Sequence, residues 1–403
     1  MNYLFSEKFA ALKPSAIREI FKSLSDPEII SFAAGNPAPE SFPVAELQKL
    51  STDIYAECPG TALQYGLTEG YTPLREAVAA RQKKVFGIGK SLENGDAYTD
   101  ETLIVSGGQQ AIELAAKVFC NEGDTVICEN PTFIGALNAF RSNGARTVGV
   151  PLHEDGPDPA ELEATIRKNP NTKLLYLIPT FQNPSGITMS KEKRHAIYEI
   201  AKKYALPIIE DNPYGELRFA GQDLPTLKSF DTEGLVIYCS TFSKILSAGM
   251  RVGFAVVPAG IASKMVIAKQ VEDVHTNLFF QMLCYRYMTQ YDLDAHIEKI
   301  RGIYRRKCGL MLAELDKEMP KEITFTRPEG GLFLWGTLPE GLSMPEFVKR
   351  ALSKKVAVVP GTTFNCDPDA PSQSFRLNYS TPSDEQIVAG VRRLGEAARE
   401  MLG

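Results

Sequence analysis

Between residues 102 and 257 the chain alternates short apolar runs with stretches of helical spacing. The runs cover 102–105, 125–128, 147–150, 174–178, 207–209, 235–239 and 252–257. They are rich in Val and Ile and lack a clean period of two, as expected of strands buried on both faces of a largely parallel sheet. The pattern predicts an α/β unit whose ligands lie at the carboxyl ends of its strands. Upstream, 46–57 and 73–86 have helical periodicity, separated by an aromatic, glycine-punctuated loop from Leu63 to Tyr71. Residues 15–24 predict a short helix, 29–33 a short strand, and Gly35-Asn36-Pro37-Ala38-Pro39 a rigid turn. Downstream the character changes to a long helix over 297–315, strands near 323–325, 332–335, 356–359 and 375–379, and a final helix over 384–402. The predicted organisation is an N-terminal arm (1–45) that completes a small domain, a large domain (46–289) with a mostly parallel seven-stranded sheet between helices, and a small α+β domain (290–403).

Composition narrows the function. A chain of 403 residues is too long for one ordinary core, which agrees with two domains. A formal charge of −5 without a basic run argues against a nucleic-acid surface. Seven scattered cysteines without a C-x-x-C pattern read as reduced thiols of a cytoplasmic protein, with neither a disulfide frame nor a metal site. Glu7, Lys8 and Lys13 interrupt the first apolar stretch, so no secretory signal is expected, and no apolar run is long enough to span a bilayer. Gly89-Lys90-Ser91 resembles the end of a phosphate-binding P-loop, but Lys84 stands where that motif requires glycine.

Candidate chemistry gathers at the strand ends. Ser240-Thr241-Phe242-Ser243-Lys244 follows the run 235–239, and Arg251 lies just beyond. A lysine after a strand is ordinarily a solvated loop residue; its meaning here comes from stretches upstream. Ser106-Gly107-Gly108-Gln109 opens a helical stretch, where glycines expose amides to an anion, although the same residues also read as a capped helix start. Thr241 and Ser243 add hydroxyls and Arg251 a charged fork. Asp211 stands at a strand end beside Glu210, and alternation sends the two carboxylates to opposite faces. With Asn212-Pro213 following, a turn or cap is the plain alternative for Asp211. Asn183, in Gln182-Asn183-Pro184-Ser185-Gly186, and Tyr214 offer polar groups, while Phe133 can cover a ring or fill a core. Gly35 permits close backbone approach or is a simple turn glycine. Together these residues match what pyridoxal phosphate (PLP) needs. They supply a phosphate cradle, a carboxylate that keeps the pyridine nitrogen protonated, donors to the ring oxygen, a ring cover, and Lys244 as the Schiff-base lysine.

In this order the motifs Ser-Gly-Gly-Gln, Pro-Thr-Phe-x-Gly, Gln-Asn-Pro-Ser-Gly, Asp-x-Pro-Tyr, Ser-x-x-Ser-Lys and Gly-x-Arg-x-Gly resemble the fold-type I PLP enzymes, specifically the class I/II aminotransferases. Pro14-Ser15-Ala16-Ile17-Arg18 and Phe32-Ala33-Ala34-Gly35-Asn36-Pro37 resemble the branch with 2-aminoadipate, kynurenine and multi-substrate aminotransferases. Phe133 departs from the tyrosine common at its position, and Gly108 from a serine. The resemblance implies an aspartate aminotransferase-like fold and ping-pong transfer of an amino group between an L-amino acid (aromatic, 2-aminoadipate-like or aliphatic) and a 2-oxo acid such as 2-oxoglutarate. It also implies a catalytic set of Lys244, Asp211 and Tyr214, with Arg376 gripping the substrate carboxylate and Asn183, Gly35 and Arg18 near the substrate. It further implies a homodimer with shared active sites, in which Tyr65 reaches the partner's cofactor phosphate. A PLP-dependent C–S β-lyase, racemase or decarboxylase uses a similar site. A transcriptional regulator with an aminotransferase-like domain is a different alternative, but the roughly 45 residues ahead of the large domain are too few for a helix-turn-helix unit.

Overall fold

The computed structural model describes residues 3–10 and 26–402. The helix expected over 15–24, and Arg18 with it, lies outside the described residues. The first strand, β1 (Ile30–Ser31), is followed by the seven expected strands: β2 (Asp100–Val105), β3 (Thr125–Asn130), β4 (Arg146–His153), β6 (Thr172–Leu177), β7 (Ile208–Asp211), β8 (Val236–Thr241) and β9 (Gly253–Pro258). A two-residue strand absent from the sequence reading, β5 (Gly156–Pro157), folds back on β4 and extends the sheet to eight, in the order β2-β9-β8-β7-β6-β3-β4-β5. Strands β3, β4, β6, β7 and β8 pair in parallel, whereas β9 runs antiparallel to both β2 and β8.

Both faces of this sheet are covered, which explains the missing alternation. Val105, Cys128, Tyr176, Ile209 and Cys239 pack toward the helices Gly108–Phe119 and Ile134–Ser142. Their neighbours Ile127, Leu175, Leu177, Ile208 and Val236 pack toward the helices Pro159–Lys168 and Lys191–Tyr204. Each fully buried aliphatic side chain contributes roughly 1.5–3 kcal/mol relative to exposure, so the sheet is a stiff platform for the loops at its carboxyl end.

A second sheet follows the helix Leu293–Glu318. It contains β10 (Thr324–Phe325), β11 (Phe333–Thr337), β13 (Val359–Pro360) and β14 (Ser374–Asn378), all antiparallel, in the order β10-β11-β14-β13. The single strand expected over 356–359 is divided. β12 (Val356–Ala357) pairs in parallel with β1, and β13 occupies the edge of the second sheet, where Pro360 forfeits no ladder bond. The Asn378 amide also donates to the Phe32 carbonyl at 2.8 Å, so the segment after residue 26 joins the C-terminal sheet. Among the described residues no helix is long and apolar enough to cross a membrane.

Candidate active site

One cavity of about 350 Å³ lies where the carboxyl end of the large sheet meets β11 and β14. It collects Gly35, Gly108, Gln109, Phe133, Asn183, Asp211, Tyr214, Thr241, Ser243, Lys244, Arg251 and Arg376. Two of the singled-out residues stand elsewhere in this chain. Gly107 lies just behind the lining, and Tyr65 is 80% exposed, its ring edge-on to His275 at 5.8 Å.

Its anion end is built at the start of the helix Gly108–Phe119, where the first amides have no intrahelical acceptor. Gly107 holds φ +82, and a Cβ there would fall 2.2 Å from Arg251 Nη2. Arg251 Nη2 donates to the Ser106 carbonyl at 3.3 Å and Nη1 to Ser243 Oγ at 3.4 Å. Thr241 Oγ1 donates to Ser243 Oγ at 2.9 Å, so two hydroxyls and a guanidinium are already organised around one another. Arg251 itself sits at φ +54, a conformation that costs a non-glycine residue on the order of 1–3 kcal/mol.

Lys244 is partly buried and donates from Nζ to the Gly35 carbonyl at 2.7 Å. Burial first, then the nearby Arg376 and Arg251 guanidinium groups, push its ammonium down to about 8. Asp211 is pushed up to about 6 by burial, against the opposing effect of the Tyr176 hydroxyl, which donates to Oδ2 at 2.6 Å. Glu210 faces the other way and accepts from the Leu227 and Lys228 amides, so alternation along β7 does separate the two carboxylates.

Asn183 ties two functional groups together. Its Oδ1 accepts from Arg376 Nη1 at 2.9 Å, and its Nδ2 donates to the Tyr214 hydroxyl at 3.4 Å. Burial drives the Tyr214 phenol upward, so it remains a donor at neutral pH. Arg376 Nη2 donates to the Ala33 carbonyl at 2.8 Å, and its guanidinium lies over Phe333 at 4.2 Å and Phe364 at 4.9 Å. Its Nε is buried without a hydrogen-bond partner among the described residues. Burial lowers Arg376 to about 10, still well above neutrality, so it stays cationic.

Three aromatic residues of this site escaped the sequence reading. Phe333 and Phe364 had no local signal, because only the second sheet brings them to Arg376. Tyr176 did carry one: a tyrosine inside a fully buried strand needs a partner for its hydroxyl. Its partner becomes visible only in the register that sets Tyr176 beside Ile209, two residues before Asp211 on β7.

A family model described as aminotransferase class I and II matches residues 27–394. Aromatic-amino-acid aminotransferase 1 of Thermococcus litoralis is 39% identical over 402 residues, covering 99% of this chain and 94% of that relative. The 2-aminoadipate transaminase of Thermus thermophilus is 41% identical over 401 residues, covering 99% and 97% respectively. Among solved structures, a kynurenine aminotransferase of Pyrococcus horikoshii in complex with PMP gives a TM-score of 0.93 at 38% identity, covering 99% of this chain and 98% of that one.

Proposed function

Because this chain belongs to the class I and II aminotransferases, we propose that the cavity around Lys244 is its active site. The protein is a PLP-dependent transaminase of aspartate aminotransferase-like fold that moves an amino group between an amino acid and a 2-oxo acid by a ping-pong mechanism. Bound PLP supplies a carbonyl for the amine and a protonated ring that accepts the electrons released at the substrate Cα.

The residues present fit that cofactor. The cradle at Gly107 closes on Arg251, a buried carboxylate stands at Asp211, and Arg376 keeps an unpartnered Nε. A phosphate, a pyridinium and a substrate carboxylate are the complementary charges. In our reading Thr241, Ser243, Arg251 and the Gly108 and Gln109 amides hold the phosphate, and Phe133 covers the ring. Asn183 and Tyr214 donate to the ring oxygen, while Asp211 faces the ring nitrogen. Lys244, partly neutral near pH 8, would bear the cofactor at rest and, once the incoming amine has displaced it, would hold and move the proton released at the substrate Cα. Two of the five Arg376 donors are engaged, which leaves donors for the α-carboxylate. The observation that carries this reading is the meeting of Lys244, Asp211 and Arg376 in one cavity although they are far apart in sequence.

The relatives' names support an aromatic or 2-aminoadipate-like donor, and we extend the reading to aliphatic ones; the donor side chain would lie toward Gly35, Asn36 and Phe333, and Arg18 is kept as a proposed substrate contact. We also assign a homodimer in which Tyr65 completes the partner's site, a large domain over 46–289 with a small one from 290–403 plus the first 45 residues, and a cytoplasmic setting. The exposure of Tyr65 supports the dimer, the pairing of β1 with β12 the division, and seven free cysteines the setting. The test is a panel of amino donors mixed with the holoenzyme without a 2-oxo acid. One 2-oxo acid per site and a single conversion of the cofactor absorbance are expected, reversed by 2-oxoglutarate. Continuous turnover without any 2-oxo acid acceptor would point to a lyase, racemase or decarboxylase and overturn the reading.

A further inference from the structure

Asp211 is buried, yet only one hydrogen-bond donor reaches its carboxylate among the described residues: the Tyr176 hydroxyl, 2.6 Å from Oδ2. Tyr176 is itself 0% exposed, and its hydroxyl makes no other hydrogen bond among them. Its ring is fixed by an edge-on contact with Phe140 at 5.5 Å, and by its place on β6 opposite Cys128 of β3 and Ile209 of β7. The second carboxyl in the neighbourhood, Glu129, is occupied elsewhere: its Oε2 accepts from the Ile178 amide at 3.0 Å and from Gln182 Nε2 at 3.3 Å. Nothing but Tyr176 therefore orients the Asp211 carboxylate within the described protein, and Oδ1 is left without a protein donor in a residue that lines the cavity.

We propose that Tyr176 is a positioning residue for the transamination. It occupies Oδ2 of Asp211, turns Oδ1 toward the cofactor ring nitrogen, and keeps the shared proton on that nitrogen. This inference rests on the assignment of Asp211 to the ring nitrogen. A donor to a carboxylate stabilises the anion and weakens it as a base. With the Tyr176 hydroxyl present, the pair is carboxylate and pyridinium. Without it, the carboxylate becomes the stronger base, the proton moves from nitrogen to Oδ1, and the ring loses much of its capacity to accept electrons. The bond is charge-assisted and dry, which makes its loss worth roughly 10- to 100-fold in the position of that proton.

The experiment uses holoenzyme loaded with PLP labelled with nitrogen-15 in the ring, for wild type and Tyr176→Phe, a change that keeps the ring and its Phe140 contact. The wild-type signal should stand at the pyridinium position and the Tyr176→Phe signal should move toward neutral pyridine. At the same time kcat should fall roughly 10-fold or more with the KM of the amino donor nearly unchanged. An unmoved signal in Tyr176→Phe overturns the proposal while leaving the role of Asp211 intact. A wild-type signal already at neutral pyridine overturns the Asp211 assignment itself. A second arm places Tyr176→Phe in an Asp211→Asn background, where no buried charge is left unpaired and folding is least at risk. If Tyr176 acts through Asp211, the added change leaves kcat within about twofold of Asp211→Asn alone. A further loss comparable to that in the wild-type background would mean a merely structural role and overturn the proposal.

Discussion

Lys244 shows how one partly buried side chain joins stability to chemistry. Its fall from the ordinary 10.5 to about 8 means that between those pH values the folded protein binds fewer protons at this site than the unfolded chain. The penalty for burying the ammonium is therefore full below pH 8 and fades as pH rises toward 10.5. That shift corresponds to about 3 kcal/mol, less what the bond to the Gly35 carbonyl returns. In cofactor-free protein, Lys244→Met should be more stable than wild type at pH 7 by up to about 3 kcal/mol, and the advantage should shrink steadily toward pH 10.5. Urea titrations across that range decide it, since a pH-independent difference would show that Lys244 is not held down by its surroundings. Arg376 contributes to the shift and also reaches Asn183. Arg376→Gln should therefore raise the amino-donor KM by roughly 30-fold or more, because the substrate carboxylate loses its charged partner. It should also shift the resting cofactor absorbance slightly, through Asn183, without loss of cofactor. Release of the cofactor in that variant would contradict the substrate role of Arg376.

At the scale of elements, much of the site was legible because strand ends announce themselves. The apolar runs located β2 to β9 apart from the two-residue β5, and the polar residues after them became the walls of one cavity. Alternation along β7 was enough to separate Asp211 from Glu210. What was not legible depends on pairing between distant segments. Tyr176 meets Asp211 through the β6–β7 register, and the split of 356–359 depends on β1 arriving from the other end of the chain. The turn from β2 into its helix makes the clearest prediction at this scale. Gly107 sits at φ +82 with the Arg251 guanidinium 2.2 Å from where a Cβ would stand. Gly107→Ala strains the turn and displaces Arg251 together, both at the anion end. PLP affinity, measured by equilibrium dialysis, should fall roughly 10-fold or more, whereas pyridoxal, which lacks the phosphate, should bind almost as in wild type. Equal losses for the two ligands would remove the phosphate from this turn.

For the whole molecule, Arg376 reached the sequence reading only through family resemblance, because nothing local reveals that β14 will face the end of the large sheet. Tyr65 raises the same question one level higher. It is 80% exposed and outside the lining of its own chain's cavity, while Leu63 and Leu67 beside it are also exposed. A phenol donating to a phosphate oxygen forms a charge-assisted bond, and a two-fold axis would supply it equally to both sites of a dimer. Lys244→Ala should be inactive in its own site, and Tyr65→Ala should hold PLP poorly in the partner's. When the two homodimers are mixed under conditions of subunit exchange, each heterodimer gathers both lesions in one site. The other site then joins an intact Lys244 to an intact Tyr65. Activity should return to about half of wild type per heterodimer, because one of two equivalent sites is whole. If Tyr65 served its own chain, every heterodimer site would carry one lesion and the mixture would stay as weak as its parents. Persistent weakness, with exchange demonstrated separately by mass spectrometry of the mixed dimers, would rule out the shared site.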